Sequence, residues 1–278
     1  MMEKRLLQRR GVEWLVAVSD IHGWYRPLVE LLEKVGIIKK LEAEGDGAFK
    51  VGEDHFRYIG GGVTIVIVGD FVDVDIEGKK VIDLMVNLEL EALKVGGELI
   101  ALSGNHERDL LKLESRYWGL IDEYRGWIEK RPVVAIVNNV LFVHGGINRR
   151  VLGVIQEKQR VGEDFISAFA RILEEDEDVC VDVTNKAVIL RDDETFNDIM
   201  EYTGVDYMVV GHAATNGKRR AEIKLIGPNI AGRPRFFNID TDMGDWFQGY
   251  KDQKKRNGGL LSLRWTKEGL KTEYFYRN

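Results

Sequence analysis

From Val63 to Asp73 the chain reads Val-Thr-Ile-Val-Ile-Val-Gly-Asp-Phe-Val-Asp, six β-branched residues followed by a turn that carries two carboxylates. β-branched side chains are stiff at χ1 and favour strands. The run lacks polar and apolar alternation, so it predicts a strand covered on both faces, as in the middle of an α/β sheet. Gly69 ends it. Asp70 then falls just past the strand's carboxyl end, the edge where such sheets bind ligands, and Asp73 follows one short turn later. Taken alone, a Gly-Asp-x-x-Asp turn is as readily a loop with a helix-capping carboxylate.

Other strand ends repeat the pattern. Trp14 to Val18 is a short apolar strand closed by Ser19-Asp20-Ile21-His22-Gly23. In an extended segment residues i and i+2 point the same way, so Asp20 and His22 can face one metal ion. A helix over 26–35 follows, with Pro27 early and Leu28, Val29, Leu31, Leu32 and Val35 on one face. Residues 37–62 are polar and glycine-rich and read as a loop with a hairpin over 49–58; His55 there is a surface or packing residue. A second amphipathic helix over 79–95 leads to a strand over 98–102 that ends in Ser103-Gly104-Asn105-His106-Glu107. Helical stretches over 108–118 and 120–130 precede a hairpin over 133–143, whose second strand delivers His144-Gly145-Gly146.

Residues 148–205 differ in character and read as a candidate helical cap on an otherwise single domain over 1–278. Within them, 164–173 is helical by spacing, Glu174 to Asp178 is a solvated helix end, and a helix runs from Asp192 or Asp193 to Tyr202. Tyr207 to Val210 is another buried strand, ending in Gly211-His212, and further strands are predicted over 236–239, 260–265 and 272–276.

Composition narrows the chemistry. The 278 residues carry a net charge of −6, which gives no electrostatic argument for a nucleic-acid polymer or an anionic membrane as partner. One cysteine, Cys180, excludes an intrachain disulfide and leaves nitrogen and oxygen as the ligands for any metal. No apolar run approaches the length of a membrane span, and a cytoplasmic protein is expected. Of the five histidines, His22, His106, His144 and His212 each follow a predicted strand end with glycine close by. A single histidine so placed is usually a packing residue, but four at equivalent positions argue for convergence. With Asp20, Asp70 and Asn105 they make a set large enough for two ions, and Asp70 is the best-placed bridge.

Asp20-x-His22-Gly23, Gly69-Asp70-x-x-Asp73, Gly104-Asn105-His106-Glu107, His144-Gly145-Gly146 and Gly211-His212, in this order, resemble the calcineurin-like metallophosphoesterases. The Gly-Asn-His-Glu and His-Gly-Gly forms are most similar to the phosphoprotein-phosphatase branch and, within it, to the bacterial Shewanella-like phosphatases. The resemblance spans roughly residues 14–265. It implies two stacked mixed sheets flanked by helices, an αββα sandwich, with the metals at the strand ends. It also implies one ion on Asp20, His22 and Asp70 and a second on Asp70, Asn105, His144 and His212, with manganese first and iron, zinc or cobalt as alternatives.

The activity implied is phosphomonoester hydrolysis, on phosphoproteins or nucleotides, by direct attack of a metal-bridging hydroxide. His106 would protonate the leaving oxygen and Asp73 would hold its other ring nitrogen. Val74 stands where this branch usually has a phosphate-gripping arginine; Arg191, with Asn105 and Arg108, is the expected substrate contact. A single histidine at Gly211-His212-Ala213-Ala214 fits the branch, although many relatives outside it carry a second. A dinucleoside polyphosphate hydrolase shares the same constellation, and a non-catalytic metal-binding scaffold is the remaining alternative.

Overall fold

The computed structural model describes residues 5–72, 77–112, 119–185, 193–212, 224–226, 236–241 and 258–276. In chain order the strands are β1 (Leu6–Arg9), β2 (Trp14–Val18), β3 (Ile38–Leu41), β4 (Ala48–Val51), β5 (Asp54–Tyr58), β6 (Thr64–Val68), β7 (Glu98–Leu102), β8 (Val134–Val137), β9 (Val140–Val143), β10 (Tyr207–Val210), β11 (Lys224–Ile226), β12 (Phe236–Asn238), β13 (Gly259–Thr266) and β14 (Gly269–Tyr276). The helices are α1 (Tyr25–Lys34), α2 (Gly78–Lys94), α3 (Asn105–Leu111), α4 (Gly119–Ile128), α5 (Arg149–Lys158), α6 (Phe165–Glu175), α7 (Glu177–Asn185) and α8 (Asp193–Thr203).

Two mixed sheets carry the molecule. One runs β14-β13-β2-β6-β7, with β2, β6 and β7 parallel and β13 antiparallel to β2. The other runs β1-β8-β9-β10-β12-β11, with β9, β10 and β12 parallel. The central run does what its composition requires: every residue of β6 is buried. Val66 and Val68 point into a cluster shared with Ala135, Val137, Phe142, Val209 and Phe237 of the other sheet, while Ile65 and Ile67 point away from it, into a cluster with α1 and α2. A period of two with both faces covered leaves no solvent-facing position, hence a run of β-branched residues in which Thr64 alone is polar.

The outer face of the six-stranded sheet is covered in the same way. Val134, Ile136, Leu141, Val143, Met208 and Val210 pack against Val151, Ile155, Phe169, Ile172, Val183, Phe196 and Ile199 of α5 to α8. The helices of 148–205 thus form an outer layer, and the order is helix, sheet, sheet, helix. Local signals start two of them: the Asn148 side chain accepts the Val151 N–H at 2.9 Å and the Asp164 carboxylate accepts the Ser167 N–H at 3.0 Å, caps that contribute about 1 kcal/mol each. Full burial of a side chain such as Phe169 stabilises by about 2–3 kcal/mol, so packing dominates over capping here.

Residues 37–62 differ from expectation in one respect. The predicted hairpin is present as β4 and β5, but Ile38–Leu41 adds a third antiparallel strand, β3, against β5. Its sequence, Ile-Lys-Lys-Leu, has two exposed lysines between an anchored Ile38 and Leu41, the composition of a protected edge. Glu174 to Asp178 marks a junction between helices: Asp176 ends α6, pairs with Lys158 at 2.6 Å and accepts the Val179 N–H at the start of α7. Among the described residues, no helix is long and apolar enough to cross a membrane.

Candidate metal centre

Five strands deliver the predicted groups to one place. Asp20 follows β2, Asp70 follows β6, Asn105 and His106 open α3 after β7, His144 follows β9 and His212 follows β10. The loops after β2 and β6 continue to pair beyond the strands, with Asp20 N–H donating to Gly69 O at 3.2 Å, His22 N–H to Asp70 O at 2.9 Å and Gly23 N–H to Phe71 O at 3.0 Å. Gly211 N–H donates to His144 O at 3.0 Å, which joins the two loops of the second sheet.

The backbone turns sharply at these positions. Asp20, His22, Asp70 and His212 have φ of 54°, 49°, 52° and 64°, in the left-handed region that residues with a Cβ disfavour. Asp20 and His22 therefore do not converge by the alternation of an extended strand; left-handed residues on either side of Ile21 set the direction of both side chains. Backbone strain of this kind clusters at functional sites, where surrounding structure holds it.

Two groups result, each with ligand atoms within 4.8 Å of one another: His22, Asp70 and His106, and Asp70, His144 and His212. Asp70 belongs to both. His144 Nε2 lies 3.0 Å from Asp70 Oδ2, and His106 Nε2 lies 3.8 Å from the same oxygen. Asp20 borders the first group, with Oδ1 3.9 Å from His22 Nε2. Its carboxylate accepts the His212 N–H at 3.1 Å and is hydrogen-bonded by the Ser19 hydroxyl. The imidazoles of His22 and His106 meet edge to face at 4.6 Å, and those of His144 and His212 at 5.1 Å.

Electrostatics follow from burying these groups together. Burial, then Asp240 and Asp70, push the Asp20 carboxyl well up. For Asp70 burial acts in the same direction, but the imidazoles of His144, His106 and His22 offset it and hold the carboxyl well below the usual range. Burial pushes His22 down to about 4. It would do the same to His144, but the Asp70 and Asp20 carboxylates hold that ring up to about 10. His212 is lowered by burial and by His144. Negative charge in this pocket is thus offset by a proton on the His144 ring, a positive charge that a bound cation would take over.

The residues fit a divalent ion. The donors are imidazole nitrogens and carboxylate or amide oxygens, suited to manganese, iron, zinc or cobalt. Asn105 Oδ1 is buried with no hydrogen-bond partner among the described residues, and His144 Nε2, although close to Asp70, lacks hydrogen-bond alignment with it. Buried polar atoms left unsatisfied call for a ligand.

Arg108 is a nearly buried side chain that hydrogen-bonds Glu177 of α7. Asp73 and Arg191, with Val74 and Ala214, lie outside the described residues. Glu107, the fourth residue of the Gly-Asn-His-Glu motif, has no assigned role in the sequence reading; it is fully buried, and its carboxylate collects backbone N–H groups from the loop after β6. Only its place beside Asn105 and His106 pointed to it.

Two sheets flanked by helices, with histidine and aspartate gathered at their strand ends, define a metallophosphoesterase fold. The calcineurin-like phosphoesterase family model matches residues 14–215, and the chain belongs to that family. It is 28% identical over 162 residues to Shewanella-like protein phosphatase 1 of Plasmodium berghei (strain Anka), a match covering 50% of this chain and 41% of the relative. Shewanella-like protein phosphatase 2 of Arabidopsis thaliana is 28% identical over 131 residues, 46% of this chain and 30% of the relative. The chain thus spans less than half the length of these curated relatives. Among solved structures, a cold-active protein-tyrosine phosphatase of a psychrophilic Shewanella species shares the fold, with a TM-score of 0.65 at 21% identity, covering 99% of this chain and 84% of that one. A protein serine/threonine phosphatase from Saccharomyces cerevisiae gives a TM-score of 0.62 at 14% identity, covering 98% and 84%.

Proposed function

We propose that the chain is a dinuclear metal-dependent phosphatase that hydrolyses phosphomonoesters, phosphoproteins among them, without a covalent phosphoenzyme. The observation that carries this reading is the sharing of Asp70 between two three-residue groups, because one carboxylate common to two donor sets is what a pair of neighbouring cations requires. Asp20, His22 and Asp70 hold one ion; Asp70, Asn105, His144 and His212 hold the other. When bound, the ions draw charge from the phosphoryl oxygens and acidify water for in-line attack near neutral pH.

The protein's own groups do the rest. His106 lies at the rim, its side chain 16% exposed while that of Asp70 is 3% exposed, so it can reach a leaving oxygen that the buried ligands cannot. An imidazole is the side chain suited to give a proton there, since its unperturbed pKa lies near neutrality. Asp73 accepts from its second ring nitrogen and favours the cation. Arg191 takes the phosphate contact that Val74 cannot supply, since a guanidinium matches two phosphoryl oxygens at once. Arg108 already serves Glu177.

The names of the curated relatives support a phosphoprotein substrate. Val74 in place of the expected arginine favours a second reading, hydrolysis of a dinucleoside polyphosphate. Metal-stripped protein reloaded with manganese, iron, zinc or cobalt and given a phosphopeptide, p-nitrophenyl phosphate or diadenosine tetraphosphate separates the two. Phosphate release from the first two substrates is expected. Nucleotide release alone would transfer the assignment to the second reading, and no release with any metal would leave a metal-binding scaffold.

A further inference from the structure

Glu107 is 0% exposed, a carboxylate buried in the strand-end cluster with no part in the chemistry above. Its Oε2 accepts the N–H groups of Gly104 and Asp70, each at 2.8 Å, and its Oε1 accepts those of Phe71 at 2.8 Å and Val72 at 3.2 Å. A capping box at the start of α3 explains only the Gly104 bond. The other three donors are consecutive residues of the loop after β6, 35 to 37 positions earlier in the chain. In return, Asp70 Oδ1 accepts the His106 N–H at 3.0 Å. The two loops therefore hold each other in both directions.

We propose that Glu107 is the positioning residue of the metal centre: its carboxylate fixes Asp70 in the left-handed conformation from which that side chain serves both ion sites, and fixes His106 through Asp70. The inference rests on the metal-site reading. Its physical content is that Asp70, with φ at 52°, sits in a region that residues with a Cβ enter at a cost, aspartate less than most, and the N–H groups of Asp70, Phe71 and Val72 bonded to one buried carboxyl group hold the loop there. An amide cannot do this. Glutamine offers one oxygen and an NH2 group, so half of the side chain would face N–H donors with a donor of its own. The two loops also approach closely: a Cβ at Gly104 would collide with the Asp70 carboxylate and lie 2.7 Å from its backbone nitrogen.

The test uses the full chain, stripped of metal. Manganese binding is measured by calorimetry for wild type and Glu107→Gln, and kcat and KM for p-nitrophenyl phosphate are measured at saturating manganese. In parallel, amide hydrogen exchange at Phe71 and Val72 is followed in the metal-free wild type. Glu107→Gln should weaken manganese binding by roughly 10- to 100-fold, the range for groups that orient metal ligands. It should lower kcat while KM stays within about twofold, since a displaced ligand set costs turnover more than ground-state binding. The Phe71 and Val72 amides should be as protected as those of β6. Wild-type affinity in Glu107→Gln overturns the proposal, and so does fast exchange of the two amides in the wild type, an arm that stands even if the variant does not fold. Failure of the wild type to bind manganese, zinc, iron or cobalt overturns the metal reading itself, an outcome distinct from a variant that binds normally.

Discussion

His144 Nδ1 stands 2.7 Å from the carbonyl oxygen of Val68, and this bond determines what the other end of the ring can do. A carbonyl only accepts, so Nδ1 carries the proton and Nε2 of the neutral ring carries the lone pair, directed at the space beside Asp70. Val68 is the last residue of β6. The strand that presents Asp70 thus also sets the tautomer of an imidazole delivered by the opposite sheet, and the two halves of the sandwich are tied together at the centre.

Asp70→Asn isolates the role of the shared charge. Asparagine tolerates the left-handed region, and its carbonyl oxygen can still accept the His106 N–H, so the loop should survive. What disappears is the negative charge common to both groups. Bound metal should fall below two ions per chain by elemental analysis, and turnover should drop by at least about 100-fold, no less than the loss expected from an orienting group. Two ions retained by the variant would remove Asp70 as the bridge.

For His106 the structure poses a sharper question, because its ring is near enough to His22 and Asp70 to join the first group. As a general acid it contributes about 10²- to 10⁴-fold, with the larger effect on substrates whose leaving oxygen needs the proton most. His106→Asn should therefore reduce hydrolysis of phenyl phosphate far more than that of p-nitrophenyl phosphate and leave the metal content unchanged. A parallel loss on both substrates with one ion missing would make His106 a ligand.

Much of this architecture was legible because it depends on short-range pattern. The runs at 63–68, 98–102 and 207–210 declared buried strands, and glycine, histidine and aspartate at their ends declared the site. Elements set by pairing with distant residues were not legible. β1 and β11 are short strands whose sequences, Leu-Leu-Gln-Arg and Lys-Leu-Ile, acquire meaning only against β8 and β12. α7, Glu-Asp-Val-Cys-Val-Asp-Val-Thr-Asn, is poor in helix formers and is held by burial of Val179, Cys180 and Val183. The left-handed backbone at Asp20, His22, Asp70 and His212 shows in residue type only as the weak preference of aspartate and histidine for that region, since none is glycine. Glu107 was in plain view, but its partners lie in another loop.

Arg108 can be tested as a structural residue. Its guanidinium hydrogen-bonds Glu177, while Arg5 approaches the same carboxylate at 3.9 Å, so the pair braces α3 against α7. Arg108→Ala should destabilise the protein by about 1–3 kcal/mol in urea denaturation, between the values for exposed and buried pairs. KM for p-nitrophenyl phosphate should stay within about twofold, as expected when no substrate contact is lost. A large rise in KM with unchanged stability would return Arg108 to the phosphate.

Glu163 sets a pH dependence of stability remote from the centre. Arg171 donates to both of its oxygens, at 3.1 and 2.9 Å, and the Arg160 N–H adds a third bond at 3.0 Å. These hydrogen bonds, Arg171 foremost, hold the carboxyl down to about 2. The folded value lies below the unfolded one, so the stabilisation is complete above the ordinary glutamate range near 4.5 and is lost as pH falls toward about 2. Glu163→Gln should unfold more readily than wild type at pH 7, and the gap should close on acidification. A gap of constant size from pH 7 to pH 2.5 would show that the charge is not its source.

Gly211 tests how tightly the two sheets meet. A Cβ at this position would collide with the Ser19 hydroxyl, lie 2.5 Å from Asp20 Oδ2 and lie 3.0 Å from His144 Nδ1. None of these neighbours can yield cheaply: Ser19 and Asp20 follow a buried strand, and His144 is pinned through that nitrogen to Val68. Gly211→Ala should therefore fold but cost about 1–3 kcal/mol, the usual range for inserting a methyl group into a packed interior. The displaced groups are Asp20 and His144, one from each of the two proposed donor sets, so manganese should be lost from both sites and activity with it. Urea denaturation and elemental analysis report the two effects separately. An unchanged unfolding midpoint with full metal content would mean that the loops after β2 and β10 stand farther apart than these contacts require.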